Sequence, residues 1–336
     1  MSLKNKRILL TGGAGFIGSH IVESLLARGV RVIVFDNFSS GKRENLKRMQ
    51  NDIEIIEGDI LDYNSLLKAC RGVDIISHHA AQLEIFKCIE DPVSDLRTNT
   101  IGTLNVLNAA RANNVEKVIN ASSVSVYGQA QEIPEIEEHP TNPQWAYGVS
   151  KLAAEKYCQI YHDYYHLPVV SLRYGMVYGE REWFGRALTI FIKRVLANEP
   201  PVIFGDGSQT RDYIYVKDAV AMHNLCLEKK EDSGEVFNVG SGIGTRISDL
   251  AKMVIECSGK RLEPLYEDVG EGAFSKYITY RRRVPAELKT MVMGIEKAKK
   301  ELGWSPKTSL KQGIAIEMEW ISRNLDAWKV EGIVRI

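Results

Sequence analysis

The stretch that most restricts how this chain can fold is "RILLTGGAGFIGSHIVESLLARG", residues 7–29. A short apolar run leads into three glycines in G-x-x-G-x-x-G spacing, Gly12, Gly15 and Gly18, and then into apolar residues at helical intervals that end on a further glycine. Strand, tight turn and helix in that order are the expected elements. The glycines let the backbone turn sharply and approach a pyrophosphate, which would lie at the helix N-terminus among free amides and the positive end of the dipole. The next apolar run, "RVIVFD", ends in Asp36, eighteen residues past Gly18. A carboxylate there would accept hydrogen bonds from an adenosine ribose and repel a 2′-phosphate, which favours NAD over NADP. A glycine turn alone is a weak signal, and an aspartate can simply cap a loop; the placement of both in one strand, turn, helix and acid pattern makes the cofactor reading the stronger.

The same alternation continues. "IEIIEGD" (53–59), "VDIISHHA" (73–80), "VEKVINASS" (115–123) and "LPVVSLRY" (167–174) are strand-like, with helical stretches between most of them. Continuous apolar strands imply burial on both faces, so the expected fold is α/β: a Rossmann-like, doubly wound parallel sheet with helices on both sides. After about residue 175 the regularity ends, except that "GEVFNVG" (234–240) reads as one more sheet strand. The expectation is a cofactor domain over 1–174 plus a return segment at about 213–245, and a smaller α/β substrate domain over about 175–212 and 246–336.

The 43 basic and 43 acidic residues cancel and are interspersed, which argues against a nucleic-acid stripe or a membrane-binding patch. No apolar run approaches a membrane span, and the N-terminal residues carry no readable export signal. Five scattered cysteines without CxxC spacing read as buried thiols in a reducing cytoplasm. His78 and His79 end an apolar strand without metal-ligand spacing and are expected to line or support the cofactor site. "RRR" at 281–283 is a solvated face or an anion site.

"WAYGVSKLAAEKY" (145–157) sets Tyr147 four places before Lys151 in an amphipathic helix, so the two share a face. A nearby cation favours the ionised phenol, which would bring a tyrosine towards work as a base. Spacing alone does not separate this from a pair that only supports its helix.

Taken together, "TGGAGFIGSH", "DNFSSGK" (36–42), "GDI" (58–60), "HHAAQ" (78–82), "TNTIGTLNVLNAA" (98–110), "ASSVSVYG" (121–128), "YGVSK" (147–151), "LRYGMVYG" (172–179) and "TRDYIYVKD" (210–218) resemble the extended short-chain dehydrogenase/reductases, in particular their nucleotide-sugar epimerases and dehydratases. The resemblance covers almost the whole chain. It implies NAD as cofactor, Tyr147 as the catalytic tyrosine, Lys151 as its partner and Ser123 as the catalytic Ser/Thr. It further implies that Asp59 and Ile60 flank the adenine, that Ala80 and Ala81 line the cofactor beside Gln82, and that Asn99 anchors the nicotinamide half. Phe16 and Ile17 in the glycine turn, Asn37, Ser39, Gly41 and Lys42 after the second strand, and Tyr174 complete the implied cofactor contacts. Ser125, Phe204 against the nucleobase, and Arg211 and Arg283 on the diphosphate are the implied substrate contacts, with Arg281 or Arg282 as substitutes for Arg283. A homodimer pairing the helices around 99–113 and 147–163 is the family default.

The implied chemistry is removal of a sugar hydroxyl proton by Tyr147, with the hydride passing to NAD. Return of the hydride to the other face of the keto sugar gives epimerisation. Dehydratases of the family carry Asp-Glu directly after the catalytic Ser/Thr, and the sugar-acid decarboxylases keep a glutamate where Ser125 stands. Val124 and Ser125 cannot supply those acids or bases, so a C4 epimerase of a UDP-hexose is expected, in its glucose/galactose, N-acetyl or uronic acid form. A keto-sugar reductase or dehydrogenase is the alternative, and a dinucleotide-sensing regulator is disfavoured by the presence of Ser123, Tyr147 and Lys151 together. Two departures from the family are plain: Gly175 and Met176 stand where relatives usually read Phe-Asn, and "GEREWFGR" replaces "GPRQ". Methionine cannot donate the asparagine's hydrogen bond. Arg181 and Arg186 either pair with Glu180 and Glu182, the reading preferred here, or meet a charged sugar.

Overall fold

The computed structural model describes residues 3–182, 185–229 and 234–325. Its largest sheet has seven strands, all parallel: β1 (Arg7–Thr11), β2 (Arg31–Asp36), β3 (Glu54–Glu57), β4 (Ile75–His78), β5 (Lys117–Ser123), β6 (Val169–Tyr174) and a late strand, β10 (Val236–Val239). Their order is β3-β2-β1-β4-β5-β6-β10, so the winding reverses between β1 and β4, where α/β sheets open a ligand crevice at the strands' carboxyl ends.

Alternation along β1 shows why the sheet is covered on both faces. Ile8 and Leu10 enter one core with helices α1 (Phe16–Leu26) and α9 (Val216–Glu228), while Leu9 enters the other with α3 (Tyr63–Ala69), α6 (Gly102–Ala112) and α7 (Ala146–Tyr165). Short helices α2 (Arg43–Leu46), α4 (Ile85–Glu90) and α5 (Pro92–Leu96) lie in the connections, and a π-turn at Arg97–Ile101 leads into α6.

The second lobe is built on β9 (Thr210–Tyr215). β11 (Gly244–Arg246) pairs antiparallel with one edge, and β13 (Thr290–Met291) and β7 (Met176–Tyr178) pair in turn along the other. β8 (Val202–Phe204) pairs with β12 (Leu265–Glu267), and α8 (Ala187–Leu196), α10 (Ile247–Ser258) and α12 (Leu310–Arg323) share the apolar core, with α11 (Glu296–Leu302) leading towards α12. The chain thus returns once to the first sheet, through α9 and β10.

Strands 3 and 4 are shorter than their apolar runs suggest. Asp59 and residues 79–80 lie past the carboxyl ends, where the chain leaves the ladder and bends into the crevice. No helix among the described residues is long and apolar enough to cross a membrane.

Candidate active site

At the crevice, Gly12 has a positive φ of 71°, and a Cβ on it would stand 2.6 Å from the Ala80 backbone nitrogen. A Cβ on Gly18 would meet the Gly12 carbonyl oxygen at 2.2 Å. Gly15 is the N-cap of α1, with no side chain over the first turn. Gly12 and Gly18 thus leave no room for a side chain, and the turn is closed by backbone contacts of the kind that let a main chain approach a pyrophosphate. Phe16 is buried against His20, and Ile17 is partly buried beside the core.

Asp36 ends β2 with one oxygen accepting from the Ala14 amide at 2.9 Å and the other from Phe38 at 2.8 Å. Burial raises its pKa. Gly41 lies against it, because a Cβ there would be 3.0 Å from the carboxylate, and residues 38–44, including Ser39 and Lys42, line an open pocket alongside. Asn37 binds Ser39 and donates to Asp59 at 2.9 Å, which joins the loops after β2 and β3. Ile60 is buried beneath Gly102.

After β4, Ala80 and Ala81 are partly buried, and Gln82 is fixed by the Asn99 side chain: its amide donates to Asn99 Oδ1 at 2.9 Å and its carbonyl accepts from Asn99 Nδ2 at 2.9 Å. Asn99 is 1% exposed, so it shapes the crevice wall from behind. His78 bridges Thr11 and Thr103 at 2.7 and 2.9 Å, and burial pushes its pKa down to about 3. His79 meets the Tyr174 hydroxyl at 3.1 Å. His78 is buried and His79 partly buried, and desolvation keeps both imidazoles neutral.

Ser123 closes β5 at its carboxyl end, and Tyr147 projects from the first turn of α7. Burial pushes the Tyr147 phenol up to about 12, while the neighbouring Ser123 hydroxyl and the Arg186 charge act the other way. Lys151 is 5% exposed, donates to the Ala121 carbonyl at 2.9 Å, and is pushed down by burial to about 8. Ser125, in the short 3₁₀ turn after Ser123, donates its amide to Ser123 Oγ at 3.2 Å, and Val124 is buried.

Across the crevice, Arg211 and Arg283 converge on one carboxylate: Glu287 lies 3.5 Å from the first and 3.2 Å from the second. Two guanidiniums meeting at a shared anion suit a diphosphate. Arg282 instead stacks over Phe86 and pairs with Glu90 at 2.7 Å, reaching across to the first lobe. Phe204 is partly buried on β8 against Ile190, Val202 and Ile278. Met176 packs into the main core; at Gly175 a Cβ would stand 2.9 Å from Met293 Sδ, so a side chain at that place would require Met293 to move.

The segment before α8 corrects one expected pairing. Arg186 does pair with Glu182, at 3.4 Å, and donates to the Val177 carbonyl at 3.1 Å. Arg181 does not pair with Glu180. Its φ of 70° turns it onto α1, where it bonds His20 at 2.7 Å and Glu23 at 2.5 Å, while Glu180 binds Tyr215 and Lys217.

Residues 8–240 match the NAD dependent epimerase/dehydratase family, more than half of the chain. The chain belongs to this family. A putative UDP-glucose 4-epimerase of Methanocaldococcus jannaschii is 36% identical over 322 residues, covering 94% of this chain and 99% of the relative. The human dTDP-D-glucose 4,6-dehydratase is 32% identical over 331 residues, covering 96% and 91%. Among solved structures, the UDP-glucose 4-epimerase of Thermotoga maritima with UDP-glucose is similar at a TM-score of 0.86 and 36% identity, over 95% of this chain and 99% of that one.

As a member of an NAD-dependent epimerase/dehydratase family the chain uses NAD, and its residues fit that group: a glycine turn with no room for a Cβ at Gly12 or Gly18, opening onto the N-terminus of α1, and a carboxylate at the end of β2. Two features escaped the sequence. Asp95 is buried behind Asn99, and Glu182 and Glu317 are buried together beneath Arg186, where burial raises Glu182 to about 7. Nothing local marks a carboxylate as buried; only its distant neighbours do.

Proposed function

We propose that this protein interconverts nucleotide-activated sugars by NAD-dependent epimerisation at C4 of a UDP-hexose, through a 4-keto sugar. One observation carries the reading: Tyr147 neighbours Ser123 at the end of β5, with buried Lys151 one turn along α7, and the residues after Ser123 are Val124 and Ser125, neither of which can act as the acid or base that elimination of water needs. The relatives named 4-epimerases support the same outcome.

In this reading Gly12, Gly15, Gly18, Asp36, Asp59 and the Ala80–Gln82 wall hold NAD. When bound, NAD supplies the hydride acceptor and donor. Tyr147 takes the proton of the sugar hydroxyl and gives it back, Ser123 hydrogen-bonds the same oxygen, and Lys151 favours the phenolate through its charge. Arg211 and Arg283 bind the diphosphate and Phe204 lies against the base, so the seven-stranded sheet serves the cofactor and the second lobe the sugar nucleotide. Val93, Ile101, Val149, Ile160 and Tyr164, exposed on α5, the π-turn and α7, form an apolar surface suited to a twofold homodimer. The free thiols at all five cysteines suit the cytoplasm.

Proton NMR of the purified protein with UDP-, GDP- and dTDP-sugars, without added cofactor, tests the reaction. Interconversion of a C4 pair supports it; turnover only with consumption of added NAD or NADH would replace it with a dehydrogenase or reductase. Sedimentation equilibrium tests the dimer.

A further inference from the structure

Residues 272–286 of the second lobe form a strap that is fastened to that lobe and lands on the first. Gly272 donates its amide to the Arg283 carbonyl at 2.8 Å, Arg283 to Ala273 at 3.0 Å and Ser275 to Arg281 at 2.9 Å, so Phe274 and Arg282 stand opposite each other in a short antiparallel bridge. The turn between them is held on the second lobe: Lys276 donates its amide to Glu267 at 2.7 Å, and Ile278 is buried against Ile190 and Val202. Successive side chains of an extended chain point to opposite faces. Arg282 therefore shares a face with Phe274, and Arg283 turns to the other, where it bonds Glu287 at 3.2 Å and the Val269 carbonyl at 2.9 Å.

The strap meets the first lobe at two places. The Arg282 guanidinium lies 4.4 Å from the Phe86 ring centre and 5.4 Å from that of Phe274, and its Nη2 donates to Glu90 at 2.7 Å. Phe86 and Glu90 both stand on α4, just beyond the Gln82 wall of the crevice. Further along the strap, the Pro285 carbonyl accepts from the Trp145 indole at 2.9 Å, at the N-cap of the helix that carries Tyr147. The strength of the Arg282 contacts suits a closure that must also open. The Glu90 side chain is 62% exposed, so the ion pair is screened and weak, while the two rings add a cation–π attraction. Arg282 is itself outside the hydrophobic clusters of both lobes, so its contacts join the lobes rather than build either one.

We propose that Arg282 is a positioning residue of the diphosphate site: it latches the strap onto α4 and so holds its neighbour Arg283 across the crevice, beside Arg211. The proposal rests on the reading of Arg211 and Arg283 as diphosphate contacts. Arg283 meets the phosphates beside Arg211 only while the strap that carries it is docked. Because Arg282 acts through the strap, its loss lowers the share of molecules competent to bind, and the apparent affinity falls by that share. The proton transfer at Ser123 and Tyr147 is left as it was once the sugar nucleotide is bound.

The test is Arg282→Ala in the protein as purified, with amide hydrogen exchange read by mass spectrometry and with UDP, GDP and dTDP as probes in isothermal titration calorimetry. Exchange should quicken in peptides from 272–286 and 83–91 and stay as in the parent in β5 and β9. The dissociation constant of the nucleoside diphosphate that the parent binds should rise about tenfold. KM for C4 interconversion should rise by a similar factor, with kcat held within about twofold. Arg282→Glu, which repels Glu90, should bind more weakly still, and adding Glu90→Arg should bring affinity back to within about threefold of the parent. Unchanged exchange in folded Arg282→Ala, or no recovery in the exchanged pair, overturns the latch. Quickened exchange with unchanged affinity, or a fall in kcat with KM unmoved, overturns the positioning role. A parent that binds none of the three diphosphates refutes the nucleotide-sugar reading and the positioning role with it, and the exchange result then decides the latch alone.

Discussion

Replacing Arg173 with methionine should unfold this protein early and misplace Ser123, Tyr147 and Lys151 together. Arg173 and Glu155 are 4% and 3% exposed, and the guanidinium reaches both carboxylate oxygens, at 3.0 and 2.6 Å. It also donates to the Tyr127 hydroxyl and the Glu137 carbonyl, at 2.8 and 2.9 Å. Without it, Glu155 keeps only the Ser122 hydroxyl, at 2.7 Å, and stands as a buried charge with no cation. Removing one partner of such a pair costs about 3–5 kcal/mol. At roughly 2 °C per kcal/mol, suited to a long chain, Tm should fall by about 6–10 °C. The consequence for activity follows from position. Arg173 precedes Tyr174 on β6, Ser122 precedes Ser123 on β5, and Glu155 lies one turn beyond Lys151 on α7. Chemical denaturation of the parent, Arg173→Met, Glu155→Leu and the double variant measures the pair by a thermodynamic cycle. The double variant should recover most of the loss, because neither charge is then left unpaired. A single-variant cost below about 1 kcal/mol, or a double variant no better than Arg173→Met, would refute the reasoning that desolvation of an orphaned carboxylate dominates.

Three further outcomes are expected. Tyr147→Phe should keep bound NAD while kcat falls by about 10²–10⁴-fold, the range for losing a positioned acid–base group, measured by C4 interconversion and cofactor content. Gly18→Ala should lose NAD on purification, because its Cβ would sit 2.2 Å from the Gly12 carbonyl oxygen with no flexible side chain to yield; retention of cofactor in a folded protein would refute it. Glu135 is wholly buried, with neither carboxylate oxygen partnered among the described residues, and burial raises its pKa from an ordinary 4.5 to about 8. The folded state then holds a proton that the unfolded state releases above about pH 4.5, so this group's contribution is full below that pH and is lost as pH rises through 8. Glu135→Gln should flatten the fall in stability between pH 5 and 9, and an unchanged slope in urea titrations would refute the assignment.

What the sequence discloses about this site depends on how far apart the cooperating residues stand. Gly12, Gly15, Gly18 and Asp36 are legible because strand, turn, helix and acid are consecutive, and each glycine answers to a contact made within the turn or with the neighbouring strand. Tyr147 and Lys151 are legible as one face of a helix, but the spacing misses that burial lowers Lys151 and that its hydrogen bond goes to Ala121, thirty residues back. Arg211 and Arg283 could be named singly; their meeting at Glu287 needs β13 laid beside β9. The expected Arg181 and Glu180 pair fails for a conformational reason, since a left-handed backbone at Arg181 sends neighbouring opposite charges to different elements. Asp95 goes furthest in this direction. In sequence it is one more polar residue of a short helix, and only the packing of α5 against α4, the π-turn and α7 makes it a buried carboxylate bonded to Asn99 and Cys88. Buried carboxylates are therefore where the structure adds most to the sequence here, because the environment, not the residue type, decides whether such a group is a solvated surface acid or part of the reaction's electrostatics.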